Sequence, residues 1–412
     1  MNSLRRVPFL PGLLSLAVIL TSALAVSPIF DSVTQGDVVD AFVERPIGYV
    51  AMAPVSNVLD TLTLISAEQH FAILIGAVLL FVAWRFLKRG VGPKRHAIAS
   101  AVFLAAYVVT YAAMALMPRP MMALRSNNDG ILKIDFHSHT SASHDGHQSV
   151  EALREWHRKA GFDVAYVTDH ASVSEAERGL ANNSNPVSGG VTLLQGIEVT
   201  WSGEHVTIPN AQRVYKGILT PDLAAVDTAG LRLSGFVPGR EPILIWNHPR
   251  QFGALPPATG PGTMGIRAIE IVNGAPRDIG RLRTNRRQNI TAAQSGGAAI
   301  TSGSDNHGFG YATPAWTIMM IVGWRGAAPD GLAFEIEKVI RDGGYRATRV
   351  IERRVAEPGT SIPLTVASIF TVPYTMLTTL SDDERGWWLA WTWLIWGATY
   401  MVRRKRMTRR PA

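Results

Sequence analysis

Two long apolar runs near the N-terminus constrain the fold of this chain more than any other feature. Residues 71–87 and 96–117 each approach the ~20 apolar residues that an α-helix needs to cross the hydrocarbon core of a bilayer. Residues 8–30 form another such run, which reads either as a cleaved signal peptide or as a first transmembrane helix, and we prefer the helix because further spans follow. The sequence therefore predicts a membrane region over residues 1–125, with about three transmembrane helices.

A second apolar region, residues 360–412, ends in a basic tail. Within it, residues 386–402 are rich in tryptophan and are the predicted C-terminal span, although they are short for a crossing. Residues 362–380 are also apolar but contain Pro363 and Pro373. We place this segment at the membrane interface, because two crossings would leave the basic tail outside.

Much of the net charge of +8 lies beside these apolar runs. Lysine and arginine in such positions indicate membrane topology more often than they indicate the binding of an acidic ligand. No specific nucleic-acid partner is therefore expected. The short loop over residues 88–95 contains four basic residues and is expected to stay in the cytoplasm. We therefore expect an integral protein of a bacterial inner membrane, in contact with membrane lipid, whose central block is extracytoplasmic.

The central block, residues 130–355, has the pattern of an α/β domain. Seven short apolar runs predict strands at residues 131–137, 164–168, 191–199, 243–247, 266–272, 298–302 and 316–321. Amphipathic patterns predict helices near residues 150–160, 172–181, 277–295 and 331–342. Strands that alternate with helices imply a mainly parallel sheet with right-handed crossovers, and about seven strands favour a barrel.

Histidines and carboxylates gather just after these strands. His137 and His139 are one residue apart on a strand, so their imidazoles point to the same side and form a chelating pair. A single histidine is usually an ordinary surface or core residue, but the placement is repeated by Asp169, His170, Glu198, His248, Asp305 and His307, and Asp145 follows His139 a few residues later. In a barrel, the carboxyl ends of the strands carry the active site. Because the chain has no cysteine, a metal there must be held by His, Asp and Glu, which suit zinc, manganese or iron.

The motifs in this block resemble those of the polymerase and histidinol phosphatase (PHP) superfamily of metal-dependent phosphoesterases. They are Asp135-Phe-His137-Ser-His139, Asp145-Gly146, Thr168-Asp169-His170, Gly196-Ile-Glu198, His205, Asn247-His248-Pro249 and Gly303-Ser304-Asp305-Asn-His307. The likeness spans about residues 131–350 and does not cover the membrane ends. It implies a distorted (β/α)7 TIM-like barrel of the PHP type, flanked by transmembrane helices.

The resemblance also implies a ligand set for two or three divalent metal ions. One ion would be held by His137, His139, Glu198 and Asp305, a second by Glu198, His205 and His248, and a third by Asp145, His170 and His307. A hydroxide bridging two metals of this trinuclear site would attack phosphorus in line. The expected activity is hydrolysis of phosphoester bonds, as a phosphatase or a phosphodiesterase.

The expected substrate is a small phosphorylated molecule such as a nucleotide, a sugar phosphate or a lipid head group. Selection among these is expected in the loops 209–240 and 251–265, which carry no decisive motif. The alternative is a non-catalytic, membrane-anchored sensory or binding module that keeps the metals.

Several further residues carry weaker predictions. Asp169 is a candidate catalytic residue, as the orienter of a ligand histidine or as a proton carrier, with a strand-end cap as the equal alternative. Arg250, which follows His248 and Pro249, is a candidate phosphate-binding catalytic residue. His157 lies in a helical pattern and is predicted at the surface. His144 and His147 are predicted to be exposed or to touch substrate, and the arginines of residues 277–287 to form a mostly solvated or lipid-facing surface.

Overall fold

The computed structural model describes residues 9–87, 92–170, 172–183, 190–201, 203–209, 243–250, 257 and 265–408. Part of the basic loop 88–95 and nearly all of the two predicted specificity loops lie outside the described residues. The helices are α1 Phe9–Ser22, α2 Ile47–Ala51, α3 Ala53–Leu64, α4 Ala67–Leu87, α5 Pro93–Leu116, α6 Val150–Ala160, α7 Ser174–Ala181, α8 Ile279–Gly296, α9 Pro329–Gly343, α10 Ile362–Thr378 and α11 Asp382–Thr408. The strands are β1 Ile29–Asp31, β2 Ala41–Glu44, β3 Ala123–Ser126, β4 Ile131–Asp135, β5 Val164–Val167, β6 Thr192–Trp201, β7 Glu204–Pro209, β8 Leu244–Asn247, β9 Ile266–Asn273, β10 Ala299–Gly303, β11 Ala315–Met320 and β12 Arg349–Arg353.

The centre of the protein is a ten-stranded mixed sheet in the order β1-β12-β11-β4-β5-β6-β7-β8-β9-β10. All seven predicted strands are present, as β4, β5, β6, β8, β9, β10 and β11. The expectation of a mainly parallel sheet is wrong, because β7 and β11 run antiparallel to their neighbours. Only two residues separate β6 from β7, and no helix lies between β10 and β11. Neither connection is a helical crossover of the kind that usually joins parallel neighbours, so these strands enter the sheet in the opposite direction.

The sheet curls until its last strand lies beside strands from its other half. The backbone N–H of Ser302 in β10 donates to Oγ1 of Thr317 in β11 (2.7 Å), and the N–H of Asp305 donates to the carbonyl of His137 (2.8 Å). Apolar side chains of β4, β5, β6, β8 and α9 pack into one buried cluster beneath the sheet. The curl brings the carboxyl ends of β4 and β10 together, and we call this edge of the sheet the mouth.

Two helices, α4 and α5, are long and apolar enough to cross a membrane. No side chain of α5 is buried within the protein. The helices α10 and α11 meet this requirement only together, with a bend of 116° between them, and α1 is a shorter apolar helix. The protein is therefore a mixed α/β fold with two helices whose composition suits a bilayer.

Residues that precede these helices contribute directly to the sheet. The strand β1 pairs antiparallel with β12, and the separate pair β2–β3 joins the chain on either side of α4 and α5. On α3, the carboxylate of Asp60 forms ion pairs with Arg119 (3.2 Å) and Arg353 (2.8 Å). The division of the chain into a membrane region and a domain starting at residue 130 stays a prediction.

The helix α8 and the residues just before it carry a cluster of arginines that is only partly solvated. Arg277 and Arg287 are exposed, as predicted. The prediction is wrong for Arg283 and Arg286, which are buried: Arg283 Nη1 donates to the carbonyl of Leu64 (2.6 Å), and Arg286 Nε lies 2.7 Å from Glu352 Oε1. These two side chains are desolvated because their face of α8 packs against α3 and β12.

Candidate metal centre

Four side chains converge at the mouth from three strands or the loops that follow them. His137 and His139 follow β4, Glu198 lies in β6, and Asp305 follows β10. The Nε2 atoms of the two histidines face the carboxylates of Glu198 and Asp305. The His137 Nε2 lies 3.2 Å from Glu198 Oε2 and 3.4 Å from Asp305 Oδ1, and both corresponding distances from His139 Nε2 are 3.3 Å. All four residues are buried.

The nitrogen-to-oxygen distances of this cluster fit metal ligation. Two ligands that lie about 2.0–2.1 Å from one zinc ion in tetrahedral geometry are about 3.3–3.4 Å apart, and the four distances from imidazole nitrogen to carboxylate oxygen are 3.2–3.4 Å. His137, His139 and Asp305 lie close enough together to hold one ion, and Glu198 groups in the same way with His170 and His205. The Nε2 atoms of His137 and His139 are buried and make no hydrogen bond. Buried polar atoms of this kind normally have a partner, so the arrangement has the chemistry of a ligand set.

The charges of this cluster also suit a cation. Burial alone would lower the pKa of His137 and His139, but the facing carboxylates raise the first well above its usual value and the second to about 9. For Glu198, burial acts to raise the pKa, but the surrounding imidazoles lower it well below its usual range. A donor set that attracts protons this strongly carries the negative charge needed to hold divalent metal ions instead.

Glu198 reaches a second group of histidines through its other oxygen. His205 Nδ1 in β7 lies 2.9 Å from Glu198 Oε1, and His248 Nε2, after β8, lies 3.8 Å from it. The imidazole of His170 lies 3.4 Å from Glu198 Oε2. One carboxylate therefore stands between two sets of imidazoles, which is the position that a bridging ligand requires.

A third group opens towards solvent. The Nε2 atoms of His170 and His307 lie 3.7 Å and 3.3 Å from Asp145 Oδ2, and the ring of His139 stacks on both imidazoles. Burial lowers the pKa of His170 to about 4, so this imidazole is neutral at pH 7 and in the form that binds metals. The side chains of Asp145, His170 and His307 are partly exposed, so substrate can approach from this side.

The nine predicted ligands are thus brought together in one connected cluster. Two of them, His248 and Asp305, have positive φ angles of 29° and 46°. Non-glycine residues rarely adopt this conformation, and it persists where surrounding contacts impose it, often at functional sites. Gly303 permits the approach of β10, because a Cβ atom there would lie 2.6 Å from Cβ of His137.

Behind the ligands lies a layer of buried polar groups whose roles the sequence did not reveal. Glu270 Oε2 lies 3.1 Å from Nδ1 of His137, and its Oε1 accepts a hydrogen bond from Asn273 (2.6 Å). Asn273 also donates to Asp305 Oδ2 (3.1 Å). Such partners fix the ring and carboxylate orientations of metal ligands. The available signal was a glutamate flanked by isoleucines in the apolar strand β9, with an asparagine at its end.

Asp135 and His157 form a second support of this kind. The prediction that His157 is a surface residue is wrong: it is buried, and its Nε2 lies 2.7 Å from Asp135 Oδ2. The other oxygen of Asp135 accepts hydrogen bonds from the backbone N–H groups of His137 (3.2 Å) and Ser304 (3.0 Å). One carboxylate therefore ties the strand that carries His137 to the loop that carries Asp305.

The two predicted catalytic residues lie in different surroundings. Asp169 is buried and accepts hydrogen bonds from the backbone N–H and the hydroxyl of Thr140, both at 2.6 Å. Burial raises the pKa of Asp169. Its contacts hold the chain after His139 in place, which resembles the capping alternative. Arg250 is exposed, and its backbone N–H donates to Glu204 (2.9 Å).

The remaining histidines near Asp145 are exposed. The side chain of His144 is 76% exposed and its ring lies 5.0 Å from that of His170. His147 is exposed and packs against Phe309, with 4.9 Å between the ring centroids. Both residues therefore stand at the rim of the mouth.

No protein-family model and no curated protein matches this sequence. Among solved structures, the chain is similar to a two-domain protein of Bacteroides vulgatus described as containing a predicted PHP-like metal-dependent phosphoesterase, with 16% identity, a TM-score of 0.33, and coverage of 55% of this chain and 67% of that one. It is also similar to PsfC from Pseudomonas syringae, with 16% identity, a TM-score of 0.34, and coverage of 58% and 96%. An amidohydrolase of Chromobacterium violaceum, solved with bound sulfate and no metal, has 16% identity, a TM-score of 0.26, and coverage of 42% and 87%. At these values the likeness is distant, and the chain's own residues carry the assignment of function.

Proposed function

We propose that this chain is a membrane-anchored, metal-dependent phosphoesterase of the PHP type. The observation that carries the proposal is the buried set formed by His137, His139, Glu198 and Asp305, in which the imidazole nitrogens lack hydrogen-bond partners and lie 3.2–3.4 Å from the carboxylate oxygens. In this proposal, the curled sheet is a distorted (β/α)7 barrel in which β7 and β11 run antiparallel to their neighbours.

The donor groups support a site for up to three metal ions. One would be held by His137, His139, Glu198 and Asp305, a second by Glu198, His205 and His248, and a third by Asp145, His170 and His307. When bound, such cations lower the pKa of a coordinated water and neutralise charge on phosphoryl oxygens, which is the chemistry of phosphoester hydrolysis.

The chain's own residues then have distinct tasks. Glu198 joins the two inner sets of imidazoles, because its two oxygens face different histidines. Glu270 and Asn273 orient His137 and Asp305, and Asp135 keeps β4 and the Asp305 loop in register. His170 and His307 face the open side, where a phosphate group enters.

The test is a metal analysis and a substrate panel on the purified full-length chain in detergent. We expect two or three bound divalent ions per chain and hydrolysis of a chromogenic phosphate monoester or diester. Asp305→Ala should abolish the hydrolysis, because it removes a carboxylate ligand of the first ion and the two neighbouring imidazoles cannot replace its negative charge. Metal binding without hydrolysis of any ester would favour the non-catalytic alternative.

The proposal also includes a topology. The helices α4 and α5 would cross the membrane with the basic loop 88–95 inside, so that the sheet lies on the extracytoplasmic side. Reporter fusions near residue 250 test this orientation, and a cytoplasmic signal there would contradict it.

A further inference from the structure

The mouth lies directly against the end of an apolar helix. In the loop after His307, the backbone N–H of Gly310 donates to the carbonyl of Ala115 (2.9 Å), which is the second-last residue of α5. The same glycine packs on α3, where a Cβ atom would lie 2.9 Å from Cγ2 of Thr63. Three residues of chain extend at most about 11 Å, so the candidate ligand His307 is close to the point where the apolar helix ends.

A second loop of the mouth touches the start of the other apolar helix. Gly280 at the beginning of α8 packs so closely on Ser66 that a Cβ atom would lie 2.5 Å from the serine Cβ, and Ser66 immediately precedes α4. Two residues before Gly280, Asp278 Oδ2 lies 3.9 Å from Nδ1 of His248. The candidate metal centre is therefore connected to both apolar helices through loops only a few residues long.

An apolar surface leads from α5 to the mouth. The exposed side chains of α5 include Val109 and Leu116, which are 65% and 61% exposed. Phe309, in the loop that carries His307, is 49% exposed and adjoins the glycine bound to α5. If α5 crosses a bilayer, its last residues lie near one membrane surface, and the loop that carries His307 and Phe309 lies beside that surface.

We propose that the substrate is a phosphoester carried by a membrane lipid. This inference rests on the phosphoesterase function proposed above. The phosphate would enter the mouth between His170 and His307, while the hydrocarbon chains stay in the bilayer beside α5 and Phe309. In the reaction, a water oxygen forms a bond to phosphorus, the bond from phosphorus to the ester oxygen breaks, and the released alcohol keeps a proton derived from the water.

A water-soluble phosphoester offers the same phosphoryl oxygens, so the decisive experiment compares the two sources. The full-length chain, loaded with manganese and reconstituted in phosphatidylcholine vesicles, is given phosphatidic acid or phosphatidylglycerol in the bilayer. The parallel arm uses glycerol phosphate or glycerophosphoglycerol, which lack hydrocarbon chains. We expect kcat/KM to be at least about tenfold higher for a lipid-borne ester, because the membrane holds it beside the mouth.

The outcomes separate this inference from the proposed function. Equal or faster hydrolysis of the chain-free esters overturns the lipid assignment and leaves the phosphoesterase standing. Failure to hydrolyse any ester, including a chromogenic one, overturns the phosphoesterase and the lipid assignment with it.

A pair of variants tests the role of the rim. Phe309→Ser should lower the ratio of lipid-borne to chain-free hydrolysis by about fivefold, since it removes an apolar contact with the bilayer, and Phe309→Trp should preserve the ratio. Val322→Ser is the matched control: Val322 is 89% exposed but follows β11 at the end of the sheet away from the mouth. An unchanged ratio in Phe309→Ser, or an equal fall in Val322→Ser, would count against the proposal.

Discussion

The candidate metal centre and a second cluster of buried polar side chains differ in how their charges are satisfied. In the candidate metal centre, Nε2 of His137 and of His139 makes no hydrogen bond although carboxylate oxygens lie 3.2–3.4 Å away. The second cluster, the α3 junction, consists of Tyr49, Asp60, Arg119 and Arg353. There, Asp60 Oδ1 accepts from Arg119 at 3.2 Å and 3.3 Å, and Oδ2 accepts from Arg353 at 2.8 Å and Tyr49 at 3.0 Å.

The difference lies in the type of cationic partner. Arginine cannot be deprotonated in proteins and has no lone pair for a metal, so the α3 junction is closed within the protein itself. Imidazole can exchange its proton for a metal ion, so the histidine cluster is suited to an external cation. The buried charges of the α3 junction therefore stabilise the fold, whereas those of the candidate metal centre are suited to binding a metal ion.

The largest expected effect is the loss of the metal centre in His137→Ala. This change removes an inner ligand and should lower phosphoesterase activity by at least about a hundredfold, since even indirect partners of a metal account for about ten- to a hundredfold. Metal analysis of the purified chain should show fewer bound ions. A chelator should lower the Tm of the variant by less than that of the wild type, because the variant has fewer ions to lose. Wild-type metal content and activity in His137→Ala would remove the distinction between the two clusters.

The next effect is on stability. Asp60→Asn leaves the buried guanidinium groups of Arg119 and Arg353 without a counter-charge, which typically costs about 3–5 kcal/mol. We expect a large fall in the Tm of the full-length chain, while the fraction that stays folded keeps its metal content. If Asp60→Asn instead released metal without loss of stability, the α3 junction would be part of the metal centre.

The sequence predicted the strands better than their directions. Each strand from β4 to β11 except β7 follows from an apolar run, because burial on both faces demands continuous apolar residues. The strand β7 contains His205 and the polar residues Glu204 and Thr207, so it has no continuous apolar run that would predict it. The sequence pattern therefore did not predict β7, and its antiparallel pairing with β6 and β8 is seen only in the structure.

The candidate ligands were likewise easier to predict than the groups that hold them. His137, His139 and Asp305 lie just after apolar strands, so the local sequence pattern identifies them as candidate ligands. Glu270 and His157 act through residues more than a hundred positions away or across a helix, with contacts to His137 at 3.1 Å and to Asp135 at 2.7 Å. The first contact depends on the curl of the sheet and the second on how α6 lies against β4, and no local pattern encodes either.

The smallest of these effects is expected for Glu270→Gln. This variant tests whether a buried charge beside the candidate metal centre, unlike those of the α3 junction, acts on metal binding. Glutamine keeps the shape but loses the charge that faces Nδ1 of His137, so the imidazole becomes a weaker and less firmly oriented ligand. We expect about ten- to a hundredfold weaker metal binding, measured by titration of the metal-free chain, with a change in unfolding free energy within about 1 kcal/mol. The matched control is Glu155→Gln on the exposed face of α6, which should leave metal binding unchanged. Because glutamine cannot supply the charge but can supply the hydrogen bond, unweakened binding in Glu270→Gln would mean that Glu270 only positions the ring, and that the inner carboxylates alone set the affinity.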